Sequence, residues 1–196
     1  MNFKGNHLES DAELNQLYPM KIQNLAKRHW TPLHIAQLAA SFLGDKRETK
    51  VLDIGSGVGK FCIAGACLFP DVHFYGIEQR ANLIEHAKVA QKKLNIQNAT
   101  FINGCFTELD LKEFDSFYFF NSFHENIDEN ERIDEDIEYS DSLYRYYMRY
   151  LYFSLELVPK GTKLVTYHCY FREVPNCYEV VDVFQDAELI FWIKKR

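Results

Sequence analysis

The sequence predicts an α/β protein: a mostly parallel sheet of about seven strands, preceded by N-terminal helices and closed by a C-terminal antiparallel hairpin. Three observations carry this expectation. From Lys50 onward short apolar runs alternate with amphipathic stretches, the pattern of strands and crossover helices in a parallel sheet. The first apolar run ends in a dense glycine turn, Gly55-Ser56-Gly57-Val58-Gly59. Near the end of the chain two strand-like runs are separated by only three residues, too few for a crossover and enough for a hairpin.

Only the opening dozen residues look linker-like, and no internal repeat is present. Residues 19–28 and 32–43 read as helices. In the second, Thr31 is the expected N-cap and Pro32 the first helical residue; Ile35, Leu38, Ala39 and Phe42 share one face, and Gly44 ends it. A buried strand is expected at 51–54, a helix at 60–69, a strand at 72–77 and a helix at 80–94. Further strands are expected at 99–103, 114–120 and 162–168, with a long aromatic helix at 142–157 between the last two. The terminal hairpin pairs 178–184 with 188–194 through Gln185, Asp186 and Ala187. The whole reads as one domain over 1–196, with a helical lead-in (1–46) and a sheet-bearing core (47–196).

With 47% hydrophobic and 26% charged residues, the chain has the balance of a globular domain, not of a disordered or collagen-like one. A net charge of −6 and a pI near 5.6 argue against gripping a phosphate backbone with the whole surface. The N-terminal residues lack a signal-peptide core and no run approaches a membrane span, so a cytoplasmic location is expected. Cys62, Cys67, Cys105, Cys169 and Cys177 are odd in number and lack C-x-x-C spacing. They read as reduced, buried thiols, with no metal site indicated.

The sharpest chemical signal is Val51-Leu52-Asp53-Ile54-Gly55-Ser56-Gly57-Val58-Gly59-Lys60, a strand that turns through glycines into a helix. Glycine reaches dihedrals closed to other residues and lets a ligand lie against backbone, while the helix start offers unpaired N–H groups to an anion. A nucleotide-like cofactor follows. A Walker loop would need glycine at Ile54 and Ser or Thr at Phe61, so that alternative fails. The dinucleotide fingerprint would place its third glycine at Lys60, but here it stands at Gly59.

Asp53-Ile54-Gly55-Ser56-Gly57-Val58-Gly59 resembles motif I of the class I S-adenosylmethionine-dependent methyltransferases, whose fold is Rossmann-like. Glu78, closing Phe74-Tyr75-Gly76-Ile77-Glu78, stands where that family holds the cofactor ribose. The Gly55–Gly59 spelling is also similar to that of non-SET histone lysine methyltransferases. The resemblance runs from about Trp30 to the C-terminus. It implies S-adenosyl-L-methionine as cofactor, with Gly55, Ser56, Gly57 and Gly59 cradling its methionine end and Asp53 orienting that end. Glu78 would hold the ribose, and Gln79, Asn103, Gly104 and Cys105 would surround the adenine. Thr31 and Pro32 would close over the cofactor, and Asn121 would reach it from the fourth strand.

Two departures from the family pattern stand out. The acidic residue common after the third strand is missing from Phe101-Ile102-Asn103-Gly104-Cys105-Phe106-Thr107, where Asn103 or Thr107 are the substitutes. After the fourth strand, Asn121-Ser122-Phe123-His124 keeps only the Asn and a displaced aromatic of the motif found in some amino-methylating members. Asn121 and His124 are the candidates at the methyl acceptor, and His124 or His168 is the candidate base.

Residues 125–138 hold eight acids, Glu125, Asp128, Glu129, Glu131, Asp134, Glu135, Asp136 and Glu138, against Arg132 alone. Such a segment either steers a cationic acceptor, such as a Lys- or Arg-bearing protein or a small molecule, or is a solvated insertion. In both cases it repels phosphates, so nucleic acid is not the expected partner. The tyrosines at 144, 146, 147, 150 and 152 are expected mostly in the core. The competing function is a methyltransferase-like binding module that acts through this acidic segment. Composition carries no information on oligomeric state.

Overall fold

The computed structural model describes residues 8–196. Its centre is a seven-stranded sheet of β1 (Lys50–Ile54), β2 (His73–Glu78), β3 (Ala99–Asn103), β4 (Ser116–Phe120), β5 (Lys163–Tyr167), β6 (Tyr178–Phe184) and β7 (Leu189–Lys194). The strand order is β3-β2-β1-β4-β5-β7-β6. The first five strands in that order are parallel; β7 runs antiparallel to β5 and to β6. The direction of winding therefore reverses between β1 and β4, which opens a crevice beyond the carboxyl ends of those strands.

The strands form where apolar residues are continuous, because both sheet faces are covered. On one face lie α4 (Leu33–Leu43), α5 (Lys60–Leu68) and α6 (Ala81–Lys93), whose Ile35, Ala39, Ile63, Ile84 and Ala87 join Val51, Phe74 and Tyr118 in one core. On the other lies α7 (Asp141–Leu157), packing Leu151 and Leu155 against Leu52, Phe117, Phe119 and Ile190. Ser140 caps α7 by accepting from the Leu143 N–H, and Tyr147 and Tyr150 pack at the edge of that second core. No helix among the described residues is long and apolar enough to cross a membrane.

Several sequence expectations are corrected at the N-terminal side. Part of the linker-like opening is a helix, α1 (Asp11–Asn15), capped by Ser10, with Leu8 and Leu14 buried; residues 1–7 of that stretch lie outside the described residues. The single helix expected over 19–28 is two, α2 (Met20–Asn24) and α3 (Ala26–His29). The break falls where the Trp30 indole N–H donates to the Ile22 carbonyl, the acceptor that a continuous helix would give to the residue four positions on. Thr31 is not the N-cap of α4. Pro32 occupies that position, the Leu33 N–H is capped from far away by Asp11 Oδ1 at 2.9 Å, and the Thr31 hydroxyl pairs instead with the Tyr118 hydroxyl at 3.0 Å.

At the other end the hairpin forms as expected, but its turn places Gln185, Asp186 and Ala187 all in the left-handed region, with φ of 54°, 51° and 73°. None of the three is glycine, so composition alone did not signal that geometry.

Candidate active site

The crevice beyond β1 and β4 holds a cleft of ≈470 Å³, within the range of small-molecule sites, roughly 300–1,000 Å³. Its floor is Asp53, Gly55, Ser56, Gly57, Lys60 and Glu78; one wall is Trp30, Thr31 and Pro32, and another is Phe120, Asn121, Tyr167 and His168. His124, Glu125, Glu131 and Ile133 complete the rim.

The glycine loop turns through positive φ at Gly55 (76°), Gly57 (52°) and Gly59 (76°), which is why side chains are excluded there. What lies against the glycines differs from the expectation of bare backbone under a ligand. A Cβ on Gly57 would meet the Trp30 ring at 2.5 Å, one on Gly55 would meet Ser122, and one on Gly59 would meet Phe101. The glycines therefore serve the protein's own packing; Gly55 and Gly57 line the cleft with Ser56, and Gly59, expected there from the sequence, does not. Among the described residues the Ser56 hydroxyl has no hydrogen-bond partner; it is buried against Gly76 of β2, where an added Cβ would stand 2.7 Å from it.

Glu78 ends β2 with its carboxylate against this loop. Oε2 accepts the Gly57 N–H at 3.1 Å and Oε1 accepts the Arg80 N–H at 3.0 Å, which leaves lone pairs for hydroxyls in the cleft. Asp53 is buried, and among the described residues its one side-chain hydrogen-bond partner is the Cys62 thiol, donating at 3.7 Å. Burial pushes the Asp53 carboxyl up to about 8; the Cys62 contact opposes this and the charge of Glu78 adds to it.

Two residues that the sequence did not single out complete the charge pattern. Lys60 is buried in the cleft floor, and the side chain of Arg80 is only 2% exposed. The Arg80 guanidinium donates Nη1 and Nη2 to the two oxygens of Glu125 (3.1 and 2.7 Å), Nε to Asp134 (2.9 Å) and Nη2 to the Tyr139 hydroxyl (2.7 Å). Burial alone would lower the Arg80 pKa, but Glu125, Asp134 and Glu78 outweigh it and hold it raised. The acidic segment is thus neither wholly solvated nor wholly free to steer: Glu125 and Asp134 close on Arg80, while Glu131 lies 3.7 Å from Arg28. Burial raises Glu125 despite this contact. For Asp134 the hydrogen bonds from Arg80 and the Asp136 N–H exceed the effect of burial and keep it low.

The residues expected around an adenine divide. Asn103 does not face the cleft: its amide donates to the Glu78 and Gln79 carbonyls (3.1 and 2.8 Å) and ties β3 to the end of β2. Cys105 accepts from Thr107 at 3.1 Å, so these two engage each other. Gln79 and Gly104 line a separate recess of ≈30 Å³ with Phe106 and Phe123, bordering the main cleft through Glu78, Arg80 and Ser122. The acceptor candidates do come together. Asn121 and His168, at the ends of β4 and β5, both line the cleft in the left-handed region (φ 33° and 55°), strain of a kind that concentrates at functional sites. His124 stands beside them on the rim, and Nδ1 of His168 lies 3.6 Å from Glu188.

A family described as a methyltransferase domain matches residues 45–182, more than two thirds of the sequence. The chain belongs to the methyltransferase-domain family. An uncharacterised protein of Rickettsia prowazekii is 28% identical over 109 residues, 54% of this chain; the chain spans only 18% of that relative's length. Among solved structures, TrmN from Thermus thermophilus superposes with a TM-score of 0.60 at 20% identity, over 87% of this chain and 51% of that one. An RNA methyltransferase from Salinibacter ruber, solved with S-adenosyl-L-homocysteine, gives 0.55 at 18% identity over 84% and 92%. These likenesses show that the fold is the Rossmann-like fold of the class I methyltransferases; the methyl acceptor is not fixed by them.

Proposed function

We propose that this methyltransferase-domain protein uses S-adenosyl-L-methionine to methylate a cationic side chain of a protein or a cationic small molecule. The observation that carries the cofactor reading is the Glu78 carboxylate, anchored by the Gly57 N–H at the rim of the glycine loop and open to the cleft, where a ribose diol is its natural partner. The edges of Gly55 and Gly57 on the same floor leave room for a ligand to lie against backbone. When bound, the cofactor supplies an activated methyl group on a sulfonium.

The rest falls to this chain's side chains, and it consists mainly of positioning. Asp53 takes a cationic group of the ligand. Trp30, Thr31 and Pro32 wall the cleft and exclude water. Asn121, held at the end of β4, orients the acceptor atom, and His124 or His168 takes the proton that a protonated nucleophile must lose. Support for a cationic acceptor comes from the exposed Glu135, Asp136 and Glu138 of the acidic segment, which are in no ion pair among the described residues.

The competing reading, a binding module with weakened cofactor affinity, draws on the ≈30 Å³ recess at Gln79 and Gly104, which is too small for an adenine ring without rearrangement. Calorimetric titration with S-adenosylmethionine, S-adenosylhomocysteine and NAD, followed by transfer of labelled methyl to fractionated extract, decides between them. Binding of the S-adenosyl ligands but not NAD, with label in protein or small molecules, is the expected result. NAD binding alone overturns the cofactor reading, binding without transfer favours the module, and label in RNA overturns the acceptor class.

A further inference from the structure

Helix α7 is apolar on more than the stripe that packs on the sheet. Beside Leu151 and Leu155, which face the core, Met148, Tyr152 and the exposed Phe153 form the floor of an open groove of ≈470 Å³. Its other wall is the end of the short helical turn Phe171–Glu173 that follows β5. Around the floor stand Arg145, Arg149 and Arg172. Arg28, Arg47, Arg80 and Arg132 each have a carboxylate within 4 Å; among the described residues Arg145, Arg149 and Arg172 have none. Arg145 and Arg149 are one helical turn apart, where like charges repel. The guanidiniums of Arg149 and Arg172 lie over the Phe153 and Tyr170 rings, at 5.5 and 5.2 Å. Glu173, the carboxylate in the lining, is committed elsewhere: it accepts the Tyr144 hydroxyl at 3.0 Å and the Tyr170 N–H at 2.8 Å.

An apolar floor ringed by three guanidiniums, in a chain of net charge −6, is complementary to a segment that is acidic and carries an apolar anchor. Carboxylates take two-point hydrogen bonds from guanidinium, and the anchor removes Met148, Tyr152 and Phe153 from water. The groove also adjoins the cleft: His168 lines the cleft and Arg172, four positions further along, lines the groove, a span of at most roughly 14 Å. One bound chain can reach both. A phosphate chain fits worse, because the segment leading into α7 carries the exposed Glu135, Asp136 and Glu138, which repel a polyanion and attract the basic part of a chain of mixed charge. We infer that this groove docks an acidic, apolar-anchored segment of the protein that is methylated, and so selects a protein side chain over a free small molecule as acceptor. This rests on the cationic-acceptor reading above and adds the part of the acceptor that lies outside the cleft.

The test uses the full chain and fluorescein-labelled probes: a peptide of glutamates around a leucine–phenylalanine pair, the same peptide with lysines for glutamates, and a uridine oligonucleotide. Anisotropy should show the acidic peptide bound most tightly to the parent, and weakened about ten-fold or more when Arg145→Glu and Arg149→Glu are combined. Phe153→Ser should weaken it too, because the anchor loses its floor. S-adenosylhomocysteine affinity and melting temperature should stay those of the parent, since the changed residues are exposed and outside the cleft. With cell extract and labelled S-adenosylmethionine, both the unlabelled acidic peptide and the double arginine variant should reduce the label reaching protein. An acidic peptide that does not bind, or whose binding the variants leave unchanged, overturns the docking assignment, as does label in protein that neither peptide nor variant reduces; the acceptor reading then stands. Tighter binding of the oligonucleotide through the same arginines, or self-association that the double variant dissolves, also overturns it, making the groove a nucleic-acid surface or a contact between copies. No label in protein with the parent overturns the protein-acceptor reading, and the docking role falls with it.

Discussion

The two sides of the cleft handle buried charge in opposite ways. On the glycine-loop side, among the described residues, Asp53 and Lys60 are buried with neutral hydrogen-bond partners only, and the Ser56 hydroxyl has none. On the side of the acidic segment, Arg80 meets Glu125, Asp134, Glu78 and Tyr139, so that its buried charge is matched. Unmatched polar groups cost stability in the free protein and are repaid only by a ligand; matched ones hold a wall in place whether or not a ligand is bound. In the function proposed above, the first side receives the ligand and the second is its scaffold.

Removing the scaffold cation is the largest expected effect. Arg80→Met leaves Glu78, Glu125 and Asp134 crowded without their cation and should cost about 3–5 kcal/mol, a fall of about 10 °C in melting temperature. A shift below about 2 °C would mean that the segment is not held through Arg80.

On the binding side the signature is a pH dependence. Asp53 has its carboxyl raised to about 8 in the folded chain, with Cys62 and Glu78 the groups that face it. The unfolded chain, with an ordinary aspartate, loses that proton near pH 4, so the ligand-free protein should lose stability steadily as pH rises from about 4 to about 8. Asp53→Asn should flatten that slope in denaturant melts at pH 5 and 8. An unchanged slope would show that another group carries it.

Gly57→Val comes next, because a branched Cβ at φ 52° must displace the Trp30 ring. About 2–3 kcal/mol should be lost in a thermal melt, together with S-adenosylhomocysteine binding. A variant that binds poorly yet melts like the parent would show that the glycine serves the ligand and not the Trp30 contact. Glu78→Ala should weaken the same ligand about ten- to a hundred-fold, equivalent to about 1.5–3 kcal/mol. It should also lower stability, since the Gly57 and Arg80 N–H groups lose their acceptor. Glu78→Gln, which keeps one acceptor oxygen, should fall between in calorimetry; parent-like affinity in Glu78→Ala would remove Glu78 from the ligand site.

The smallest effect belongs to acids that the scaffold does not use. Glu135 and Glu138 are exposed and in no ion pair among the described residues, so their change to Gln should move stability by under about 0.5 kcal/mol. If they steer a cationic acceptor, they should slow its association in low salt and not in high salt. Asp134 does not serve for this test, because its carboxylate is committed to Arg80.

What was legible in the sequence follows from local rules. Apolar runs bounded by glycine and alternating with amphipathic stretches specify a parallel sheet, because only a strand covered on both faces tolerates them; β1 to β5 and the hairpin stand within a residue or two of their expected bounds. The glycine spacing and an acid one strand later located the cleft, because a turn of that kind depends on residues adjacent in the chain. Contacts between distant segments were not legible. Asp11 caps a helix 22 positions away, Trp30 packs on Gly57 and ends α2, and Asn103 turns to carbonyls instead of the cleft. The acidic run read as a uniform block of charge until the fold brought Arg80 into it, and the burial of Lys60, in the sequence only the residue that ends the glycine motif, came with α1 and the cleft walls. Periodicity and spacing record what each residue does with its neighbours in the chain. Which charges are matched and which are left for a ligand depends on desolvation and on partners far away in sequence, and those exist only once the chain has packed.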